Sequence, residues 1–137
     1  MKKLLLSLVL SLFCLISFSQ DYYRAKNTEH YQWNSESEEW VLKTKYSDLD
    51  IVIVIEDEFL TIQAKSPSMY KIFAETKEDI TTKKIVGYRF DARDLKRDTR
   101  VKIDIVRLTE GTTSMISIIN SVEGYNLRFF ITPIEKN

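Results

Sequence analysis

The chain has 137 residues, with 20 Lys and Arg against 20 Asp and Glu, one His, one Cys and three Gly. That length bounds a single domain, and the balanced charge leaves no basic footprint for nucleic acid. Three glycines are too few for a phosphate-cradling loop or a dinucleotide fingerprint, and a lone Cys14 excludes disulfide scaffolds, dithiol redox chemistry and thiolate metal sites.

The N-terminus reads as an export signal over residues 1–19. Lys2 and Lys3 form a positive start, residues 4–16 an apolar core, and Ser17-Phe18-Ser19 a small-x-small cleavage site. The apolar run is shorter than the roughly 20 residues of a membrane-spanning helix. Phe13 before Cys14 is too bulky for the lipoprotein pattern, so the expected product is soluble in the periplasm or outside the cell. Cleavage after Ser19 leaves residues 20–137, with 18 basic and 20 acidic side chains and no Cys. Such a chain stands on its core alone, and its size allows it to bury a little over about 60% of its unfolded surface.

Residues 20–27 are polar with Tyr22 and Tyr23 embedded, and read as a loose N-terminal arm. From residue 28 the pattern is one of short β runs broken by polar turns. The first strand spans 28–34, with Tyr31 and Trp33 on one face; Ser35-Glu36-Ser37-Glu38 turns the chain into 39–46. Trp33 and Trp40 flank this hairpin and are expected to pack on one side of it. Residues 49–55 and 59–65 form a second hairpin through the acidic turn Glu56-Asp57-Glu58. The run from Ile51 to Ile55 is apolar on both faces, which predicts a central strand. Ser66-Pro67-Ser68 breaks the chain before strands at 69–76 and 82–92, and the charged stretch 91–98 reads as a loop. In 101–109, Val101, Ile103 and Ile105 point one way and Lys102 and Asp104 the other. Glu110-Gly111-Thr112 leads into 114–122, and Glu123-Gly124 into 125–132, where Leu127, Phe129 and Ile131 share a face before Pro133 ends the strand. The prediction is an all-β single domain: an antiparallel meander of eight or nine short strands, closed as a barrel or folded as a two-sheet sandwich.

The chemistry-bearing residues are few. His30 is the sole histidine, and its place opposite Tyr31 and Trp33 in the alternation predicts that it faces solvent. No serine sits on a nucleophile elbow, and Glu56-Asp57-Glu58 lacks the spacing to wrap a Ca²⁺ ion. The densest charge cluster, residues 91–100, supplies Arg93, Lys96, Arg97 and Arg100 as candidate partner contacts, with Asp91, Asp94 and Asp98 nearly cancelling them. Trp33, Trp40, Tyr46, Phe59, Tyr70, Phe73, Tyr88, Phe90, Tyr125, Phe129 and Phe130 all fall on predicted strands, where they either fill the core or line an apolar cavity.

Trp33 with Trp40, the Ile-rich hairpin over 51–62 and the charged stretch 91–98 give the mature chain its resemblance to the small secreted β-proteins of Gram-negative bacteria. That resemblance implies a compartment and a fold class and brings no activity with it. The nearest familiar shape is the lipocalin barrel, whose early Gly-x-Trp is here Tyr31-Gln32-Trp33. The expected function is a non-enzymatic binding or interaction module of the periplasm or cell surface, without a cofactor, whose partner is a protein or another envelope component. The alternatives are a small calycin-like barrel carrying an apolar ligand and, more distantly, a carboxylate-dependent hydrolase.

Overall fold

The computed structural model describes residues 21–110 and 113–134, so the expected export signal and Gly111-Thr112 lie outside the described residues. Nine strands run in chain order: β1 (Asp21–Asn34), β2 (Glu39–Tyr46), β3 (Ile51–Glu56), β4 (Phe59–Gln63), β5 (Ser68–Asp79), β6 (Ile85–Asp94), β7 (Thr99–Leu108), β8 (Ser114–Asn120) and β9 (Tyr125–Pro133). From β3 to β9 each strand pairs antiparallel with the next, and β1 pairs with β9 from Tyr23 to Gln32, which closes the sheet. The result is a closed barrel of eight strands with β2 as a ninth, and not a sandwich.

The opposite edge of β1 is shared. Residues Asp21 to Ala25 pair with β3, and Thr28 to Asn34 pair with β2. β2 and β3 therefore lie end to end along one strand, interrupted at residues 47–50, where Asp48 is left-handed and the Leu49 N–H donates to the Lys26 carbonyl at 2.9 Å. The predicted loose arm is thus corrected. Residues 21–27 begin β1, because Ala25 is completely buried, Tyr23 packs against the core, and both edges of the segment are hydrogen-bonded to neighbours.

Inside, the filling is aliphatic. Ile53, Leu60, Ile103, Ile116 and Ile118 are fully buried, joined by Tyr70, Ile72, Val101, Phe129 and Ile131. An eight-stranded barrel has an interior just wide enough for side chains to fill, and these residues fill it. The aromatics divide: Tyr70 and Phe129 are buried and Phe90 packs against the core, whereas Trp33, Tyr46, Phe59 and Tyr88 are exposed. Trp33 and Trp40 do pack together, edge to face with centroids 5.2 Å apart. The doubly apolar strand is central as predicted, flanked by β1 and β4, with Ile53 buried within and Val54 buried on the outer face, where Tyr22 stands opposite it in register.

The charged stretch 91–98 is the second correction. β6 runs to Asp94 and β7 resumes at Thr99, leaving a turn of residues 95–98. Alternation explains it. Ala92 and Asp94 point inward and are buried, while Asp91 and Arg93 point outward and are neutralised by Lys102 (2.8 Å) and Asp98. Charge density here marks the outer face of a strand pair. The same outer surface carries a polar rung in register across six strands, with Lys45, Glu29, Arg128, Asp104 and Arg89 charged and Ser117 between Arg128 and Asp104. Arg89 grips Asp104 through two bonds, at 2.7 and 2.9 Å, the two-point geometry in which arginine pairs best.

Candidate binding site at one end of the barrel

Three hairpin turns at one end of the barrel share one device. Asn34 Oδ1 accepts the N–H groups of Glu36 and Ser37, Asp94 Oδ1 those of Lys96 and Arg97, and Asn120 Oδ1 that of Glu123. In each case the last turn residue is left-handed: Glu38 (φ 55°), Asp98 (φ 55°) and Gly124 (φ 74°). Asn and Asp suit the first role because their short side chains replace a backbone acceptor one turn on.

At this end the inward-facing layer turns from aliphatic to polar. Leu127 packs on the core and stands opposite His30, so His30 shares its inward face. Tyr70 stands opposite Asp94, and Asp94 opposite Thr99. Asn120 stands opposite Tyr125 and donates to the Thr99 hydroxyl at 3.4 Å. Beside this layer lies a cup of about 360 Å³, with Tyr70, Asp94 and Leu127 deep in it, His30 and Tyr125 in its wall, and Ser66, Ser68, Lys96 and Arg97 at its rim. The expectation that His30 faces solvent is therefore wrong. It assumed that Tyr31 and Trp33 point inward, whereas they point out: the Arg128 guanidinium covers the Tyr31 ring at 4.2 Å, and the Tyr31 hydroxyl donates to Glu29 at 2.8 Å.

Much of the cup's hydrogen-bonding capacity is unspent. Asp94 is only 3% exposed, and its Oδ1 is committed to the turn while Oδ2 makes no hydrogen bond to a described residue. The His30 nitrogens also bond to no described residue; its ring meets Tyr125 edge-on at 6.5 Å. Arg97 is held over the Tyr125 ring at 5.6 Å while paired to Glu123 at 3.0 Å, and Lys96 donates to the Ser66 hydroxyl at 2.8 Å.

Burial, reinforced by the nearby Asp94 charge, pushes the Tyr70 hydroxyl well above its ordinary value near 10 and keeps it a proton donor. Burial raises Tyr23 and Tyr31 in the same direction. The native state thus holds phenolic protons that the unfolded chain releases above about pH 10. Stability attributable to this is complete below pH 10 and declines as pH rises toward the native value. A urea midpoint measured from pH 8 to 11.5 is expected to fall above pH 10, and Tyr70→Phe to make that fall shallower by up to about 1.4 kcal/mol per pH unit, one proton's worth. An unchanged slope in the variant would show that Tyr70 ionises freely in the native protein.

The four cations singled out from sequence divide between two places. Lys96 and Arg97 stand at the rim of the cup, whereas Arg93 and Arg100 face each other across β6 and β7. Arg100 borders a larger outer groove of about 500 Å³ with Phe73, Thr76 and Asp91. That groove is the weaker candidate, because Asp91 and Lys102 are bonded to each other and the Thr76 hydroxyl is used within the irregular β5–β6 pairing, donating to the Phe73 carbonyl and accepting the Asp91 N–H. No family model matches the chain, and neither does a curated protein or a solved structure.

Proposed function

We propose that the protein is an exported, non-enzymatic binding module whose ligand enters the polar end of the barrel. The observation that carries this reading is the contrast between two layers. A filled aliphatic core lies directly beneath a cup whose buried Asp94 carboxylate and half-buried His30 imidazole retain free hydrogen-bonding positions among the described residues. Ligand sites combine apolar walls with a few convergent polar groups in this way, in clefts upward of about 300 Å³. Asp94 Oδ2 would accept from a ligand donor, the Tyr125 and His30 rings would pack on its flat or C–H surface, and Lys96 would meet an anionic group. Export rests on the sequence pattern of residues 1–19. The filled interior supports this reading over an apolar-ligand carrier, since a lipid would have to displace Ile103, Ile116 and Ile118.

Amide-shift mapping with a panel of small sugars, amino acids and dipeptides tests the proposal. Binding is expected to move the Tyr70, Asp94 and Tyr125 resonances, and Asp94→Asn to weaken it about tenfold or more, the worth of one hydrogen bond to a charged acceptor. Asn keeps the Oδ1 acceptor, so the turn survives the change. Shifts clustered elsewhere, or none with any member of the panel, would sink the reading.

A further inference from the structure

Asp94 carries a charge that its turn does not use. The turns at Asn34 and Asp94 are built alike. Asn34 Oδ1 accepts the Glu36 and Ser37 N–H groups at 2.9 and 3.2 Å, Asp94 Oδ1 those of Lys96 and Arg97 at 3.0 and 3.2 Å, and both turns end on a left-handed residue with φ 55°. Asn120 Oδ1 accepts the Glu123 N–H in the third turn. An amide oxygen therefore suffices for the device, yet position 94 holds a carboxylate. Asn34 is exposed, whereas Asp94 is 3% exposed. A buried carboxylate without a counter-charge lowers stability, and Asp94 makes no ion pair with a described residue.

The two cations beside it are turned elsewhere. Arg97 is ion-paired to Glu123 at 3.0 Å. Lys96 donates to the Ser66 hydroxyl at 2.8 Å, a neutral partner, so its charge is uncompensated and two of its three N–H donors are free among the described residues. The cup thus holds one unpaired anion deep inside and one unpaired cation at its mouth. Lys96 follows Asp94 by two residues, so their Cα atoms are at most about 7 Å apart. A molecule that meets both charges is correspondingly small. Tyr70, His30 and Leu127 give it an apolar wall to lie against.

We propose that the cup receives a small zwitterion of the α-amino-acid class, with its ammonium donating to Asp94 Oδ2, its carboxylate meeting Lys96 at the mouth and its side chain packed on the Tyr70, His30 and Leu127 wall. This names the ligand class of the site proposed above and rests on that reading. Other small molecules satisfy the charges less well. A neutral sugar leaves both unpaired, a simple amine leaves Lys96 unpaired, and a fatty acid leaves Asp94 unpaired while bringing a second anion toward it.

The test titrates the mature chain with the twenty common α-amino acids, followed by amide shifts and calorimetry. For the tightest binder, the N-acetyl derivative and the carboxamide are then compared with the parent. Each derivative removes one charge and is expected to bind at least about tenfold more weakly, the worth of a charged hydrogen bond. The N-acetyl penalty is expected to vanish in Asp94→Asn and the carboxamide penalty in Lys96→Met. Asp94→Asn is also expected to unfold at a urea midpoint equal to or above that of the wild type, since Asn already serves the other two turns. A clearly lowered midpoint would show that the turn needs the charge, and would overturn the proposal. The derivative series on the wild type stands even if a variant does not fold. A derivative that binds as well as its parent, or a sugar that moves the Tyr70, Asp94 and Tyr125 resonances when no amino acid does, would overturn the zwitterion and keep the cup as a binding site. Shifts confined to other residues, or none with any amino acid, sugar or dipeptide, would overturn both.

Discussion

Gly87→Ala is expected to destabilise the barrel by about 3 kcal/mol or more, read as a lowered urea midpoint with an unchanged slope. Gly87 is opposite Val106 in the β6–β7 pairing, and Val106 is buried on the outer face of the barrel. A Cβ at position 87 would collide with the Ile105 carbonyl oxygen and come within 2.7 Å of both the Cα and a methyl group of Val106. Two of those contacts are backbone atoms, so no rotamer change relieves them. The strands would have to part where Gly87 also ties down the neighbouring turn, its carbonyl accepting the Ile80 N–H at 3.1 Å and its N–H donating to the Thr81 hydroxyl at 3.3 Å. A midpoint within experimental error of the wild type would show that β6 and β7 separate freely at this point.

What the sequence discloses, and what it hides, follows the same physics. Single-face alternation is plain in β7 and β9, where Val101, Ile103, Leu127, Phe129 and Ile131 face the core as the spacing predicts. Alternation says which residues share a face, but not which face is inside. Alternation places His30 opposite Tyr31 and Trp33 and so toward solvent, yet cation and edge contacts on the outer surface hold those two rings outside. The first residues of β1 look like an arm because half of them are polar, and only the closure against β9 shows that Ala25 and Tyr23 have an interior to enter. Residues 91–98 look like a loop because paired charges on a strand face are indistinguishable, in one dimension, from a solvated run. The three Asx turns were open to reading: Asn34, Asp94 and Asn120 each stand four residues before a left-handed Glu, Asp or Gly. The cup was not, since β1, β5, β6 and β9 each supply part of it and no local pattern records a closure between chain-distant strands.

Ile103→Ala carries the other large effect, and it bears directly on what the barrel is for. Ile103 is completely buried, paired across β8 with Ile118, itself inaccessible, and packed within the cluster that holds Leu60, Ile116 and Phe129. Removing its outer carbons forfeits their transfer energy and leaves a void that a hydrogen-bonded barrel closes poorly, so a loss of about 2–5 kcal/mol is expected. A cavity of this kind, lined by Ile, Leu and Phe, stays dry and accepts small apolar probes. The variant is therefore expected to bind benzene or xenon that the wild type ignores, raising its own unfolding midpoint as the probe is added. Its affinity for ligands of the polar cup should be unchanged, because Tyr70, Asp94, His30 and Tyr125 lie in the layer above. A wild-type barrel that takes up the same probes before any carbon is removed would show that its interior is adaptable, and would move the balance toward an apolar-ligand carrier.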